Sequence, residues 1–561
     1  MRKLCISVLL CLTLWPTTKA QVTRDYPKYE LRAVWLTTLK NLDWPKRTVR
    51  TADDVERQKQ ELRETLDKLR RANVNTVLLQ TRVRASAIYP SDMEPWDQCL
   101  TGTFGKSPGY DPLQFAIEEC HVRGMELHAW LCTIPVGPWN SPACKRLRKQ
   151  YPNMVMKVGE EGYMNPERDE TGRYLARISR EIVNRYDVDG IHLDYIRYPE
   201  QMKLNISRER ARGYITKIVR DIHDAVKAVK PYVKISCSPI GKHADLARYS
   251  SYGWNARDKV CQDAQEWLRQ GIMDQLYPML YFKGNNFYPF AADWGENSHG
   301  RTIAAGLGIY FLDPREGNWR LEEVDRQMNV SRQLGLGHAY FRSKFLTDNH
   351  QGVYQLVSTN TDAFPALVPP MTWENSRQPV APADFRQAVG TDEIIISWKG
   401  SAPLYNIYAS TNDGPVDTDD AANIIATRVN TNHLTIPLTG YSKALNFAVT
   451  AVDRYGNESE PLQSCPTSIA KADDPESPTR LIATNGQILT FTTLHLQRTD
   501  KLFINDLQGR TVKYYNSYQI KRLPDQKVSV SISSLPDGVY ELRSQNKKNI
   551  CHRIGFFIIK R

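Results

Sequence analysis

The feature that most constrains the fold is a regular alternation of strand-like and helix-like segments between residue 31 and about residue 360. Each of eight short apolar runs is followed by an amphipathic stretch, as in repeated β-strand and α-helix units. Eight such units predict an α/β fold, a (β/α)8 TIM barrel, within residues 25–364. The alternative is a doubly wound open sheet, but no Gly-rich phosphate loop follows any run. The eight runs are 31–39, 75–83, 125–134, 188–196, 233–240, 273–282, 302–311 and 337–346.

The segment after the first run has a clear helical pattern. Leu62, Leu66 and Leu69 fall on one face, and Thr51 with Asp54 predicts an N-terminal cap. Further helices are predicted to begin near residues 111, 171, 207, 258, 321 and 349, and the pattern near residue 287 is the weakest.

The chain after the barrel changes to short alternating strands separated by turn signals. A Pro-rich linker at 365–382 leads into 383–465, where the Trp398 strand and the run FAVTAVDRYGNES resemble a fibronectin type III module. A second linker at 466–477 precedes a C-terminal β domain at 478–561. Its ending, FFIIKR, is similar to the sorting domains of type IX secretion cargo, with an ordinary β accessory module as the alternative. We therefore expect two small all-β sandwich modules after the barrel.

The first twenty residues have the pattern of a signal peptide. Arg2 and Lys3 precede an apolar run, and Ala20 is a small residue suited to cleavage. The apolar run is too short for a membrane anchor, and no other segment is long and apolar enough to cross a bilayer. We expect an exported protein, located in the periplasm, on the outer-membrane surface or outside the cell.

The cysteines favour buried thiols over a disulfide framework. Cys120, Cys132 and Cys237 lie in apolar stretches, where a small buried thiol is the common role, so we expect at most one or two disulfides. No CxxC pair occurs, which argues against structural zinc. The net charge of +12 favours either binding to an anionic surface or substrate, or simply solubility. The sequence has no basic tract with interleaved aromatics, so nucleic-acid binding is not predicted.

The fourth run, VDGIHLDYIRYP, contains the strongest candidate for chemistry. Side chains alternate along a strand, so Ile191 and Leu193 are predicted to face the helices, and His192 and Asp194 the barrel axis. Asp194 would lie at the C-terminal end of the strand, where barrel enzymes carry their active sites. The structural alternative is a buried ion pair with Arg197.

Other predicted strand ends carry aromatic rings beside hydrogen-bonding groups. This mixture suits sugars, whose rings have an apolar face and a hydroxyl rim, although aromatics also fill barrel mouths for packing alone. The predicted substrate-binding residues are Trp44, Arg82, Arg84, Trp96, His128, Trp130, His192, Arg197, Tyr198, Tyr277, Tyr281 and Arg342.

Several long motifs together resemble the glycosyl-hydrolase-like 10 family of bacterial envelope proteins. They are LRAVWLTTLKNLDWP, YPSDMEPW, GYDPLQFAIEECHVRGMELHAWL, VDGIHLDYIRYP and DQLYPMLYF, within about residues 29–345. The resemblance implies a TIM barrel and cleavage of glycosidic bonds, with members linked to peptidoglycan glycan strands. DGIHLD is also similar to the fourth-strand motif of α-amylase-type barrels, which implies that Asp194 is the nucleophile or an essential carboxylate. His192 stands where those enzymes carry Arg, and Ile196 where chitinase-type barrels carry Glu.

Hydrolysis of a glycoside needs a second carboxyl group. Glu94, in the loop after the second run, and Asp263, at the start of a helix, are the candidates, although Glu94 could be a solvated charge and Asp263 a helix cap. Asp43 is similarly placed, and the fifth run has no acid. His128, His192 and Asp194 could in principle ligate zinc, but the first strand lacks an HxH pair, so we predict no metal and no cofactor.

The sequence thus predicts an exported glycoside hydrolase that cleaves a polysaccharide with two carboxyl groups. The alternative is a non-catalytic glycan-binding barrel, because the second carboxylate is not identified. The predicted partners are a polysaccharide substrate and secretion machinery at the C-terminal domain, with no nucleic acid.

Overall fold

The structure is a computed structural model of the 561-residue chain. The predicted signal peptide at 1–20 and the linker at 466–477 lie outside the residues that it describes. Described are residues 26–389, 393–411, 414–437, 445–464, 484, 486–492, 496, 500–506, 511–523, 527–545 and 551–559.

Eight parallel strands close into a barrel in chain order, so the predicted fold is confirmed. Each strand pairs with its neighbours in sequence, and the last strand closes on the first through the partners Arg32 and His338. The strands are β1 (Arg32–Leu36), β2 (Thr76–Arg82), β3 (Glu126–Cys132), β4 (Gly190–Asp194), β5 (Lys234–Cys237), β6 (Gln275–Leu276), β7 (Thr302–Leu307) and β8 (Gly337–Tyr340).

Helices surround this barrel and begin close to the predicted positions. The first helix begins with the expected capping box, in which the Thr51 and Asp54 side chains each accept a backbone N–H of the other residue. The helices are Ala52–Arg71, Gln98–Thr101, Pro112–His121, Pro142–Gln150, Asp169–Arg185, Arg208–Lys227, Ala256–Lys259, Ala264–Arg269, Tyr288–Glu296, Leu321–Gln333, Ser343–Thr347 and Val353–Leu356.

The barrel has two apolar layers because side chains alternate along each strand. Trp35, Leu78 and Tyr277 pack with Ala residues inside the barrel. Residues of the opposite parity, such as Ile191 and Leu193, pack in the core between strands and helices. The interior is therefore filled by side chains, and any reaction has to take place at an end of the barrel.

A small antiparallel sheet follows β3 and was not predicted from the sequence. Its strands are Pro135–Pro138, Val155–Val158 and Glu161–Met164, with the last strand in the middle. Because its first strand begins three residues after β3 ends, this sheet lies at the C-terminal end of the barrel.

Two small β modules follow the barrel, as predicted. The first pairs a three-stranded sheet (Ala383–Val389, Glu393–Lys399, His433–Pro437) with a four-stranded sheet (Leu404–Ser410, Ile424–Val429, Asn446–Val452, Leu462–Gln463). The second likewise has a three-stranded sheet (Ile488–Thr492, Lys521–Arg522, Lys527–Ser531) and a four-stranded sheet (Lys501–Asn505, Thr511–Tyr515, Gly538–Gln545, Cys551–Ile559). Each module has a separate apolar core.

The first β module docks on the N-terminal end of the barrel through Arg428. Its guanidinium bonds Glu126 at 3.1 Å and also pairs with Asp189. Lys234 contacts Glu126 from inside the barrel at 2.7 Å. Buried charges are tolerated when they are paired, and this group closes that end of the barrel.

The described cysteines fit the prediction of buried thiols. Cys120, Cys132 and Cys237 are buried and unbonded, as are Cys99, Cys144 and Cys261. Among the described residues, none of the helices has both the length and the apolar character needed to span a bilayer.

Candidate active site

Asp194 is the last residue of β4, at the end of the barrel where the parallel strands terminate. The predicted alternation is confirmed, because Ile191 and Leu193 join the outer core while the His192 ring contacts Trp35 inside the barrel. Asp194 is 7% exposed. Its carboxyl group therefore lies at the upper edge of the barrel interior.

Three donors orient this carboxylate. The Ser238 hydroxyl and the Tyr195 backbone N–H donate to Oδ1 at 3.0 and 2.8 Å, and the Trp130 indole N–H donates to Oδ2 at 3.1 Å. Burial raises the pKa of Asp194 above its ordinary value, although Arg197 and the three donors act in the opposite direction. The result is a carboxylate that is fixed in position and more basic than an exposed aspartate.

Arg197 does not form the direct ion pair with Asp194 that was the structural alternative. Its Nη2 bonds Glu200 at 2.7 Å, and its guanidinium lies over the Tyr195 ring, 4.1 Å from the centroid. Nη1 of Arg197 is buried and has no partner among the described residues. Tyr195 is 38% exposed and has a positive φ of 53°, a strained conformation for a non-glycine residue.

Tyr281 supplies an aromatic surface and a free hydroxyl beside this group. Its ring lies 5.3 Å from Phe341 and 5.9 Å from Tyr310, and its hydroxyl has no partner among the residues described. Burial, then Tyr310 and Asp194, raises the pKa of Tyr281 well above its ordinary value. The phenol therefore stays protonated and can donate a hydrogen bond. The hydroxyl is also buried, so the substrate-binding role of Tyr281 stays a prediction.

His192 lies below Asp194 and does not reach the surface, which corrects its predicted role in substrate binding. Its Nδ1 bonds the Ser236 hydroxyl at 3.0 Å, and the Trp35 indole N–H donates to its Nε2 at 3.3 Å. Burial, then the nearby His128, lowers the pKa of His192 well below its ordinary value. The imidazole is thus neutral and supports the site from beneath.

Three more predicted binding residues are also buried. His128 bonds Glu126 at 3.1 Å, and the Tyr277 hydroxyl donates to Gln275 at 2.9 Å, both within the barrel. Tyr198 is buried in the core between strands and helices. None of them presents an atom to a substrate, because alternation predicts which way a side chain points but not its height in the barrel.

The three tryptophans do not form the predicted row of sugar-stacking surfaces. Trp44 is buried and donates to the Gln58 carbonyl at 2.8 Å. Trp130 is buried, and its indole serves Asp194 instead of a sugar. Trp96 is half-buried against the core.

Glu94 is held in a buried ion pair and is not a free acid. Arg82 bonds both of its carboxylate oxygens, at 2.8 and 2.9 Å, and the Tyr174 hydroxyl donates to it at 3.0 Å. Arg82 also donates to the carbonyls of Cys132 and Thr133. The pair ties the loop after β2 to the end of β3. Glu94 as a catalytic residue and Arg82 as a substrate ligand are therefore corrected to structural residues.

Asp263 is surrounded by cations at the start of the helix Ala264–Arg269. It lies 3.5 Å from Arg212, 3.4 Å from His243 and 3.8 Å from Arg257, and its side chain does not cap the helix. These partners hold the carboxylate within the protein, so the geometry favours a structural role for Asp263.

Arg342 joins the end of β8 to the loop after β1. It pairs with Asp43, which also accepts the Thr37 N–H at 2.9 Å and the Lys344 N–H at 3.1 Å. Burial raises the pKa of Asp43, and Arg342 opposes the shift. An ion pair and two backbone donors therefore hold the Asp43 carboxylate in place.

Arg84 and Glu161 line an open cavity of about 310 Å³ at the same end of the barrel. Their nearest charged atoms are 3.9 Å apart, and the Glu161 side chain is 41% exposed. The pKa of Tyr163 is raised, first by burial and then by Glu161 and Glu200, while Arg84 and Arg197 lower it. Arg84 and Glu161 therefore lie in the same region as Arg197, which neighbours Asp194.

The sequence interpretation missed Ser238, Glu161 and Tyr195. Ser238 directly follows β5, a position where the strand-end rule could have found it. Glu161 lies in the unpredicted small sheet, and no local pattern marks it. Tyr195 adjoins Asp194 in the same motif.

The residues described include one cluster that could hold a metal, namely Glu30, His338 and Asp362. It lies at the N-terminal end of the barrel, and Arg32 and Arg332 already bond its carboxylates. These arginines supply the positive charge that an ion would bring. His128 and His192, in contrast, bond different partners and do not converge with Asp194 on a metal position.

Comparison of the sequence with known proteins identifies the family of this chain. The family described as Glycosyl hydrolase-like 10 matches residues 30–209 and 203–303. Glycosyl hydrolase YngK of Bacillus subtilis is 32% identical over 390 residues, which is 63% of this chain and 76% of that protein. Glycosyl hydrolase DigH of Escherichia coli O6:H1 is 29% identical over 380 residues, 59% of this chain and 86% of that protein.

A solved structure, alpha-L-fucosidase isoenzyme 2 from Paenibacillus thiaminolyticus, is similar at a TM-score of 0.37 and 14% identity. The match covers 58% of this chain and 50% of that one. The fold assignment rests on the strand order, and the family assignment on the relatives named above. The chain belongs to the glycosyl hydrolase-like 10 family.

Proposed function

We propose that this protein hydrolyses glycosidic bonds in a polysaccharide, with Asp194 as one of two catalytic carboxyl groups. The observation that carries the proposal is the environment of Asp194: a carboxylate at a strand end, fixed by three donors, with a raised pKa and no direct cation. A basic, oriented carboxylate suits the attacking role in glycoside hydrolysis.

Glu161 is the second carboxyl group in this proposal. Its side chain is 41% exposed, and its ion pair with Arg84 is long, at 3.9 Å. The other acids in the region have closer partners, as Glu94 has in Arg82 and Glu200 in Arg197. An exposed carboxyl group that lines a cavity can deliver a proton to the leaving oxygen and take one from water.

In this proposal, Asp194 and Glu161 carry out a two-step hydrolysis. Asp194 attacks the anomeric carbon while Glu161 protonates the departing oxygen, so the glycosidic bond breaks as a carboxylate ester forms. Glu161 then removes a proton from water, which cleaves the ester and restores both groups.

Export and a peptidoglycan glycan substrate are part of the same proposal. The signal-peptide pattern of residues 1–20 supports export, and the resemblance to envelope proteins supports a glycan of the cell envelope. The fibronectin type III-like and sorting-domain resemblances support roles for the β modules in attachment and secretion.

Mass spectrometry of released products tests this function. Peptide-free peptidoglycan strands and a panel of neutral and acidic polysaccharides would be incubated with the wild type, Asp194→Asn and Glu161→Gln. We expect cleavage by the wild type and loss of at least about a thousandfold in each variant. Glu160→Gln is the matched control, because the Glu160 side chain is 86% exposed and adjoins Glu161. Undiminished cleavage by Asp194→Asn would remove Asp194 from the chemistry.

A specific observation favours a second candidate function, a glycan-binding barrel without catalysis. Three acids at this end of the barrel, Asp43, Glu94 and Glu200, are engaged in ion pairs. If the wild type binds glycans but releases no product from any polymer, this second function replaces the first.

A further inference from the structure

An exposed group of aromatic side chains lies in the loop after β5. Tyr249, Tyr252 and Trp254 are 40%, 71% and 48% exposed. We call residues 249–254 the aromatic loop. Large apolar rings are normally buried, so three of them exposed within six residues form an unusual apolar surface.

The base of this loop is rigidly built. Lys242, which is buried, bonds Asp245 at 2.8 Å and Ser251 at 3.1 Å. Asn255, also buried, bonds the other oxygen of Asp245 at 3.2 Å. Two buried polar side chains thus fix both ends of the loop through one carboxylate, so little conformational entropy remains to be lost on binding.

The tip of the loop is also held in place. The backbone of Tyr252 exchanges two hydrogen bonds of 3.3 Å with the buried amide of Asn286, and its ring contacts Phe282 edge-on at 6.0 Å. Gly253 has a φ of +84°, which strains any side-chain-bearing residue and sets the turn between Tyr252 and Trp254. The two rings are therefore presented by a fixed backbone.

The aromatic loop lies at the same end of the barrel as Asp194. The segment that carries it begins with Ser238, whose hydroxyl donates to Asp194. Phe282 and Asn286, which contact the loop, follow β6. The loop thus extends the proposed active site across the ends of β5 and β6.

We propose that Tyr252 and Trp254 form a sugar-stacking subsite that holds a glycan strand beyond the bond that is cleaved. The inference rests on the proposed function, and it adds which residues hold the polysaccharide away from the bond that is cleaved. Rings next to the hydroxyls of Ser250 and Ser251 and the amide of Asn286 match a sugar, which has an apolar face and a polar rim.

Binding and kinetics test this subsite separately from catalysis. In an Asp194→Asn background, affinity electrophoresis would use peptide-free peptidoglycan strands and the polysaccharide panel as probes. We expect Tyr252→Ala and Trp254→Ala each to weaken retention by about three- to tenfold, and Trp254→Phe to retain most of it. Tyr518→Ala, in the C-terminal module, is the control, because Tyr518 is 81% exposed and far along the chain.

In the active chain, the same alanine variants should raise KM for the polymer about three- to tenfold and leave kcat/KM for a trisaccharide unchanged. Equal retention by wild type and variants, or no retention of any probe, would overturn the subsite. Retention that depends on Tyr252 and Trp254 without any hydrolysis would support the subsite and reject the proposed function.

Discussion

Two buried carboxylates at opposite ends of the barrel, Glu126 and Asp194, lie in opposite electrostatic environments. At the N-terminal end, Glu126 is bonded by Lys234, Arg428 and His128, and its pKa is lowered to about 2; burial opposes this shift, and the Lys234 charge is its main cause. At the C-terminal end, Asp194 receives only uncharged donors, and burial raises its pKa.

This difference indicates that the N-terminal end of the barrel serves mainly stability and the C-terminal end mainly function. The N-terminal end uses a network of buried ion pairs and a docked β module to close the barrel, as the cluster of Glu30, Asp362 and Arg332 also illustrates. The C-terminal end holds Asp194 without a direct cation and exposes rings such as that of Trp254. Groups that bind a ligand must have unsatisfied interactions in the free protein, and these unsatisfied groups reduce its stability.

The largest expected effect is the loss of activity in Asp194→Asn. We expect glycan cleavage to fall by at least about a thousandfold, while the variant folds normally, because the amide keeps the shape but cannot attack. Product release per folded molecule, normalised by thermal unfolding, checks this. A residual rate near that of the wild type would contradict the assignment.

The variant Glu94→Gln tests whether the Glu94 carboxylate is structural or catalytic. It leaves the fully buried Arg82 without its counter-ion, so we expect the free energy of unfolding to fall by about 3 kcal/mol. Activity per folded molecule should change little at a temperature where the variant is folded. Chemical denaturation measures the first quantity. Intact stability together with lost cleavage would return Glu94 to the active site.

Arg428→Ala should weaken the junction between barrel and β module. Its partners Glu126 and Asp189 keep other donors, and Arg428 is partly exposed, so we expect a loss of about 2 kcal/mol. Arg454→Ala is the matched control. Arg454 pairs with Asp187 across the same junction but in a more exposed position, and we expect a loss below about 1 kcal/mol. Equal effects would show that burial of the pair does not matter.

The smallest expected effect is at the first helix. Thr51→Ala removes the side-chain acceptor for the Asp54 N–H, and we expect a loss of about 1 kcal/mol. Urea unfolding measures it, with Thr65→Ala, a mid-helix threonine, as the comparison. No change in either variant would mean that the helix is held by packing alone.

Sequence periodicity was sufficient for the barrel and for the direction of Asp194, because both depend on local alternation. It could not supply the pairing of Arg82 with Glu94, which joins a strand to a distant point of a loop. Nor could it distinguish a tryptophan at the mouth of the barrel from Trp44, which packs beneath the first helix. Glu161 was missed because it lies in a hairpin of two four-residue strands, whose third strand, Pro135–Pro138, is distant along the chain.

The contrast between the two ends is tested most directly by the pH dependence of unfolding in the wild type, Asp194→Asn and Glu126→Gln. A carboxyl group whose pKa is raised on folding loses stability as pH rises from its unfolded value, near 3.9 for Asp, through the folded value. One whose pKa is lowered contributes stability above its unfolded value, near 4.3 for Glu, and loses it as pH falls toward the folded value.

Between about pH 3 and pH 7, we therefore expect opposite trends. With rising pH, the stability of the wild type should fall relative to Asp194→Asn and rise relative to Glu126→Gln. Differences that change in the same direction for both variants would contradict the contrast between the charge-paired Glu126 and Asp194, which has no direct cation.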